Sequence, residues 1–363
     1  MTLAPKPGVM DVHAYVPGRS DAAGAARIYK LSSNESPFGP SPKAVAAYES
    51  AEPALGLYPE GSARIVRDAI AKHFGLDPDR IVCGNGSDEI LRLLADSYVR
   101  PQDEVMFTAH SFSLYKIATL ANSATPIEIP EPQLKLDVDA VLAHVSPRTR
   151  IVFVANPNNP TGSYVSGSEM RRLHAGLPDS SLLVIDAAYA EYVTKKDYEA
   201  GNELVGASHN VIMTRTFSKA YGLAGIRIGW AYCPQGVAEV LNRVRAPFNV
   251  NIAAQKAAVA ALHDREFVEK VLRHNETWRA WLIGEIRKLS NAGVRVDDSV
   301  ANFVLLHFAD AKRATEADRF LMSRGIIMRG CASYGLPQCL RLTVGSEEAN
   351  KAAIAALQEF VAS

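Results

Sequence analysis

The sequence predicts an α/β protein: a large domain with a mostly parallel sheet flanked by helices, then a smaller α+β C-terminal domain. Three observations carry this. Short apolar runs that read as buried strands recur between about Arg80 and Tyr232, with helical patterns between several of them. From about Ala253 the texture changes to long helical stretches next to a few strand-like segments. The chain has 363 residues, which at roughly 150 residues per domain suggests two domains.

The first forty residues are rich in Gly, Pro, Ser and Asn and read as an extended arm. Arg80–Cys83 is a strand candidate ending in Gly84-Asn85-Gly86. Asp88–Tyr98 then places Ile90, Leu91, Leu93, Leu94 and Tyr98 at helical spacing. Glu104–Thr108, Thr125–Ile129, Ile151–Ala155, Leu182–Asp186, Val211–Arg215 and Ile228–Tyr232 all read as buried strands. Helices follow at Ala253–His263 and Phe267–Leu289. Strand-like Phe303–Phe308, a helix at Glu316–Arg324, strand-like Ile326–Arg329 and Leu340–Val344, and a last helix at Ser346–Ala362 complete the pattern. The expected organisation is an arm at 1–42 that joins the small domain, a large domain at 43–252 and a small domain at 253–363.

Bulk properties exclude several classes. Lys plus Arg and Asp plus Glu both total 39, so no net field points to nucleic acid or to an anionic membrane. No run of some 18 apolar residues suits a membrane span. Residues Met1 to Val16 lack the pattern of a secretory signal, so a cytoplasmic location is expected. Cys83, Cys233, Cys331 and Cys339 show no CxxC spacing and read as reduced, buried thiols, with no metal site.

Three segments carry chemistry. Thr214-Arg215-Thr216-Phe217-Ser218-Lys219 follows a strand and runs on to Gly222, Gly225, Arg227 and Gly229. Hydroxyls, an arginine and close-approach glycines around one lysine suit a phosphate beside an amine. Upstream, Ala155-Asn156-Pro157-Asn158-Asn159-Pro160-Thr161-Gly162 closes another strand. On composition alone this is a turn. Between them Leu182-Leu183-Val184-Ile185-Asp186 is an apolar strand ending in a carboxylate, followed by Tyr189. An acid there is costly without a partner, and the carboxyl ends of strands in open sheets are where ligands bind.

In this order and at these separations, the three segments resemble the pyridoxal-phosphate-dependent aminotransferases of fold type I. The resemblance runs nearly end to end. It narrows to the histidinol-phosphate aminotransferase branch through Leu31-Ser32-Ser33-Asn34-Glu35-Ser36-Pro37-Phe38-Gly39, Tyr58-Pro59-Glu60-Gly61, Gly84-Asn85-Gly86-Ser87-Asp88-Glu89, Arg245-Ala246-Pro247-Phe248-Asn249-Val250-Asn251, Tyr334-Gly335-Leu336-Pro337 and Leu340-Arg341-Leu342-Thr343-Val344-Gly345.

The resemblance implies pyridoxal 5'-phosphate as cofactor, held covalently by Lys219, which would also shuttle a proton. Asp186 would pair with the ring nitrogen, Asn159 and Tyr189 with the ring hydroxyl, and Phe112 would stack on the ring. Ser87, Asp88, Thr216, Ser218 and Arg227 would form the phosphate cup, at a helix start that favours an anion. Arg341 would clamp the substrate anion, Arg329 and Tyr15 would help with a substrate phosphate, and Asn34 would lie at the substrate. Tyr58 would reach the cofactor phosphate of a neighbouring subunit, which implies a homodimer with shared sites.

The expected reaction is amino transfer between L-histidinol phosphate and 2-oxoglutarate, a step of histidine biosynthesis. Alternatives are an aromatic amino acid aminotransferase and a decarboxylase of the threonine-phosphate type. Aminotransferase-like regulators of transcription carry a DNA-binding domain ahead of this pattern, and the arm before Asn34 is expected to be too short for one. The chain departs from the family in having Ala187 where Glu is usual after the aspartate. The segment Ala109-His110-Ser111 before Phe112 lacks the proline common there; His110 reads as a structural histidine, with a place in the site wall as the alternative, and Gly330-Cys331-Ala332-Ser333 also differs.

Overall fold

A computed structural model describes residues 4–14, 18, 19 and 27–363. Its main feature is a seven-stranded sheet. The strands lie in the order Ile81–Gly84, Gly229–Tyr232, Val211–Thr216, Leu182–Asp186, Thr149–Ala155, Glu104–Thr108 and Thr125–Ile129. Gly229–Tyr232 runs antiparallel to both neighbours, and the remaining pairs are parallel. This is the mostly parallel sheet that the alternation of elements predicts.

Helices cover both faces, and successive residues of the central strands feed different cores. Leu183 and Ile185 enter one core with Met213, whereas Leu182 and Val184 enter the other with Ile212. The strand at Thr125–Ile129 differs from expectation. It is the edge strand, and only Ile129 on it is buried. An edge strand has a neighbour on one side alone, so its apolar run need not be covered.

A second core gathers around a four-stranded antiparallel sheet of Arg329–Gly330, Cys339–Thr343, Phe303–His307 and Arg295–Val296, in that order. The helices Arg265–Arg287, Ala311–Ser323 and Glu347–Ala362 pack on it through Leu282, Leu321 and Leu357. The segment expected as one strand at Ile326–Arg329 divides. Ile326–Ile327 pairs in parallel with Tyr29–Lys30, and Arg329–Gly330 joins the four-stranded sheet.

The arm is tied to this second core, because Leu31 is buried in it and bonds to Ile327 and Thr343 through its backbone. The helix Ile252–His263 instead packs on Pro42–Glu49 and Arg64–Phe74, with Ala254, Ala257 and Ala258 in the first core. The change of texture near Ala253 is thus a change of composition, and the first core extends past it. No helix among the described residues is long and apolar enough to cross a membrane.

Candidate active site

Sheet register explains why the chemistry converges. Ala155, Asp186 and Thr214 lie side by side near the carboxyl ends of their strands. Gly84 and Thr216 both pair with Gly229. Over this edge lies a cavity of about 280 Å³. It is lined from the first domain by Ser87, Asp88, Phe112, Asn159, Asp186, Tyr189, Thr216, Ser218, Lys219 and Arg227, and from the arm and second domain by Asn34, Arg329 and Arg341. All thirteen were singled out from sequence. Tyr58 stands apart, 80% exposed and stacked on Phe248 with ring centroids 4.6 Å apart. Tyr15 lies outside the described residues.

Lys219 is half-buried, and its amine donates a long 3.4 Å bond to the Ser33 carbonyl and lies 5.6 Å from the centre of the Tyr189 ring. Burial, and then the charge of Arg341, lower its pKa to about 8. Burial disfavours the charged form of an amine, so near neutrality an appreciable fraction is the free base. Asp186 is buried. Its Oδ2 accepts from the Tyr115 hydroxyl at 2.8 Å and its Oδ1 from Thr214 at 3.2 Å. Burial pushes its pKa up to about 6 despite those bonds. Such a carboxylate is completed by a cation.

The other groups are held by neighbours. Tyr189 accepts from the Asn34 amide at 2.9 Å, and Asn34 in turn is bonded to Thr343 and to the Asn302 side chain. The Arg341 guanidinium bonds to the Asn159 side-chain oxygen and, at 2.8 Å, to the Ser32 carbonyl. Its Nε is buried with no acceptor among the described residues.

A separate basic corner forms where the helix Ser87–Tyr98 begins. Arg227 donates to Asp88 at 3.1 Å, to the Ala224 carbonyl at 3.1 Å and to Ser218 at 3.4 Å. Glycine permits this approach: a Cβ on Gly86, where φ is +85°, would lie 2.5 Å from the guanidinium, and one on Gly229 would lie 2.3 Å from the Ser87 amide.

The cavity therefore carries a part-neutral amine, a buried carboxylate lacking a cation, an arginine with an unused donor, and a helix start beside a second arginine. A protonated pyridine ring with an aldehyde and a phosphate satisfies the carboxylate, the amine and the helix start with its arginine, so the residues present fit pyridoxal phosphate, and the unused donor of Arg341 is left for a second anion. Sequence reasoning missed Tyr115 and Thr214, which hold Asp186, and the carbonyls of Ser32 and Ser33. Thr214 had a signal, being a lone hydroxyl after Val211-Ile212-Met213. Tyr115 had none that periodicity separates from an ordinary core tyrosine.

Residues 26–357 match the family described as aminotransferase class I and II. Two proteins named histidinol-phosphate aminotransferase, from Rhodopseudomonas palustris strains BisB18 and BisA53, are 52% and 53% identical over 361 residues, covering 99% of this chain and 98% of each relative. The crystal structure of histidinol-phosphate aminotransferase from Sinorhizobium meliloti in complex with pyridoxal-5'-phosphate superposes with a TM-score of 0.85 at 28% identity, over 93% of this chain and 92% of that one. The chain belongs to the class I and II aminotransferases.

Proposed function

We propose that this aminotransferase moves an amino group between L-histidinol phosphate and 2-oxoglutarate, with pyridoxal phosphate as cofactor. The observation that carries the reading is the convergence of Lys219, Asp186, Arg227 and Arg341 on one cavity, in a chain about half identical to histidinol-phosphate aminotransferases along its length.

When bound, pyridoxal phosphate supplies an electron sink that stabilises negative charge on the substrate carbon bearing the amine. Lys219 would hold the cofactor covalently, and its amine, once released, would take and return the proton on that carbon. Asp186 would bind the protonated ring nitrogen, and the Tyr115 and Thr214 bonds would orient its carboxylate. Asn159 and Tyr189 would hold the ring hydroxyl, and Phe112 would cover one ring face. Ser87, Asp88, Thr216, Ser218 and Arg227 would surround the phosphate.

Arg227→Ala is then expected to weaken cofactor retention about tenfold or more, since a hydrogen bond to a charged group contributes roughly 1.5–3 kcal/mol. Selectivity among amino donors should change little. Equilibrium titration of the apoprotein with pyridoxal phosphate measures this, and unchanged affinity would remove Arg227 from the cup.

The substrate anion would meet Arg341, with its cross-strand partner Arg329 also lining the cavity. Histidinol phosphate offers a phosphate and no carboxylate, and 2-oxoglutarate offers two carboxylates. A planar guanidinium pairs with either anion.

Assembly as a homodimer is supported by the position of Tyr58. It is exposed with Leu55, Leu57 and Phe248, an apolar patch bare on the single chain. Tyr58 would complete the partner's site. Mixed dimers of Tyr58→Ala and Lys219→Ala chains would then hold one site with both native residues, and co-refolding should restore activity, provided that each variant alone is severely impaired. Mixed dimers that form without regaining activity would mean that each site comes from one chain.

A further inference from the structure

His110 is not among the residues that line the cavity, yet it closes a ring of contacts around it. Its backbone is fixed to the first domain: its amide donates to Glu131 Oε2 at 2.6 Å, and its carbonyl accepts from the Asn158 side chain at 2.9 Å. Its ring reaches the second domain, where Nδ1 donates to the Tyr334 carbonyl at 2.7 Å. A carbonyl can only accept, so this nitrogen carries the proton.

Tyr334 belongs to a tight turn. Its amide bonds to the Cys331 carbonyl, Gly335 to Ala332 and Leu336 to Cys331. That turn joins the strand bearing Arg329 to the strand bearing Arg341, and the two arginines are direct cross-strand partners. Arg341 then contacts Asn159, the residue after Asn158, which returns to His110. The fit at the turn is close. Gly335 has φ +73°, and a Cβ there would stand 3.3 Å from His110 Nδ1.

We propose that His110 is a positioning residue for substrate binding: it latches the turn 331–336 to the first domain and so fixes the hairpin that presents Arg329 and Arg341 to the anionic group of the substrate. The proposal rests on the aminotransferase reading and adds to it a residue outside the cavity. His110 is neither among the residues that line the cavity nor among those assigned to the cofactor, so its loss should appear in substrate binding and leave cofactor retention intact.

The test compares His110→Phe, which keeps a ring and loses the donor, with His110→Asn, whose amide nitrogen can occupy the place of Nδ1. One neutral hydrogen bond is worth about 0.5–1.5 kcal/mol, which is about three- to tenfold in an equilibrium. In steady-state assays, His110→Phe should raise KM for histidinol phosphate and 2-oxoglutarate by about that factor, with kcat within about twofold of the parent. His110→Asn should restore most of the loss. Amide hydrogen exchange over 329–336 should quicken in His110→Phe and not in His110→Asn.

Unchanged KM and exchange in His110→Phe would overturn the latch, as would an Asn variant as impaired as the Phe variant. A fall in kcat and cofactor retention matching the rise in KM would also overturn it. Should His110→Phe fail to fold, Gly335→Ala crowds the same contact from the other side. It should give the same rise in KM, and an unaltered KM there would equally overturn the proposal. Parent protein that transfers no amino group would contradict the function itself, and the exchange measurement would still decide the latch.

Discussion

Replacing Lys219 by alanine is expected to lower turnover by about ten-thousand-fold, the upper end of what a positioned general base contributes. Among the described residues the amine has no salt-bridge partner, and burial together with the Arg341 charge disfavours its protonated form. Its pKa of about 8, against an ordinary 10.5, leaves it both nucleophilic and able to accept a proton near neutrality. Borohydride reduction of the loaded protein, followed by peptide mapping, should place the pyridoxyl group on Lys219. Finding it on another lysine would contradict the assignment.

The same displacement has a sign that can be measured without cofactor. Between about pH 8 and 10.5 the unfolded chain holds a proton on this lysine that the folded chain has released. The contribution of Lys219 to apoprotein stability therefore rises with pH through that window. Denaturant midpoints of the parent relative to Lys219→Met should show this rise, and a flat difference would mean that the amine titrates normally.

Arg341→Ala is expected to lower kcat/KM by about 10²–10³-fold for both substrates, because truncating one member of a buried charged pair costs about 2–5 kcal/mol. Arg341 is 4% exposed, anchored at Ser32 and Asn159, with its guanidinium 5.3 Å from the centre of the Phe303 ring. Its buried Nε has no acceptor among the described residues, which suits a group that awaits an anion. Arg341→Lys should recover little, since an ammonium keeps the charge and loses the planar fork. Arg329→Ala should chiefly impair the phosphorylated substrate. Single-turnover rates for each half-reaction separate these outcomes. A loss confined to one half-reaction in Arg341→Ala would mean that the two substrates use different anchors.

What the sequence made legible follows from where each signal comes from. Leu182–Asp186 could be read as a strand delivering an acid to the sheet edge because the apolar run is unbroken until the carboxylate. Lys219 and Arg227 stood out because hydroxyls and glycines cluster around them in one short segment. Tyr115 could not be tied to Asp186, since the contact spans 71 positions and depends on how the helix Leu114–Ala121 seats against the sheet. The Ser32 and Ser33 carbonyls were invisible because backbone groups look alike at every residue. His110 reads as structural in sequence, and only the fold shows which carbonyl its ring meets. The division of Ile326–Arg329 between two sheets reflects tertiary pairing that an apolar run cannot encode.

The most direct test of the account is a product assay on the purified protein loaded with pyridoxal phosphate. With 2-oxoglutarate as acceptor, histidinol phosphate, phenylalanine, tyrosine and threonine phosphate are offered in turn. Glutamate formation fastest with histidinol phosphate, and dependent on the acceptor, is the predicted result. Far faster turnover of phenylalanine or tyrosine, or acceptor-independent release of carbon dioxide from threonine phosphate, would contradict it.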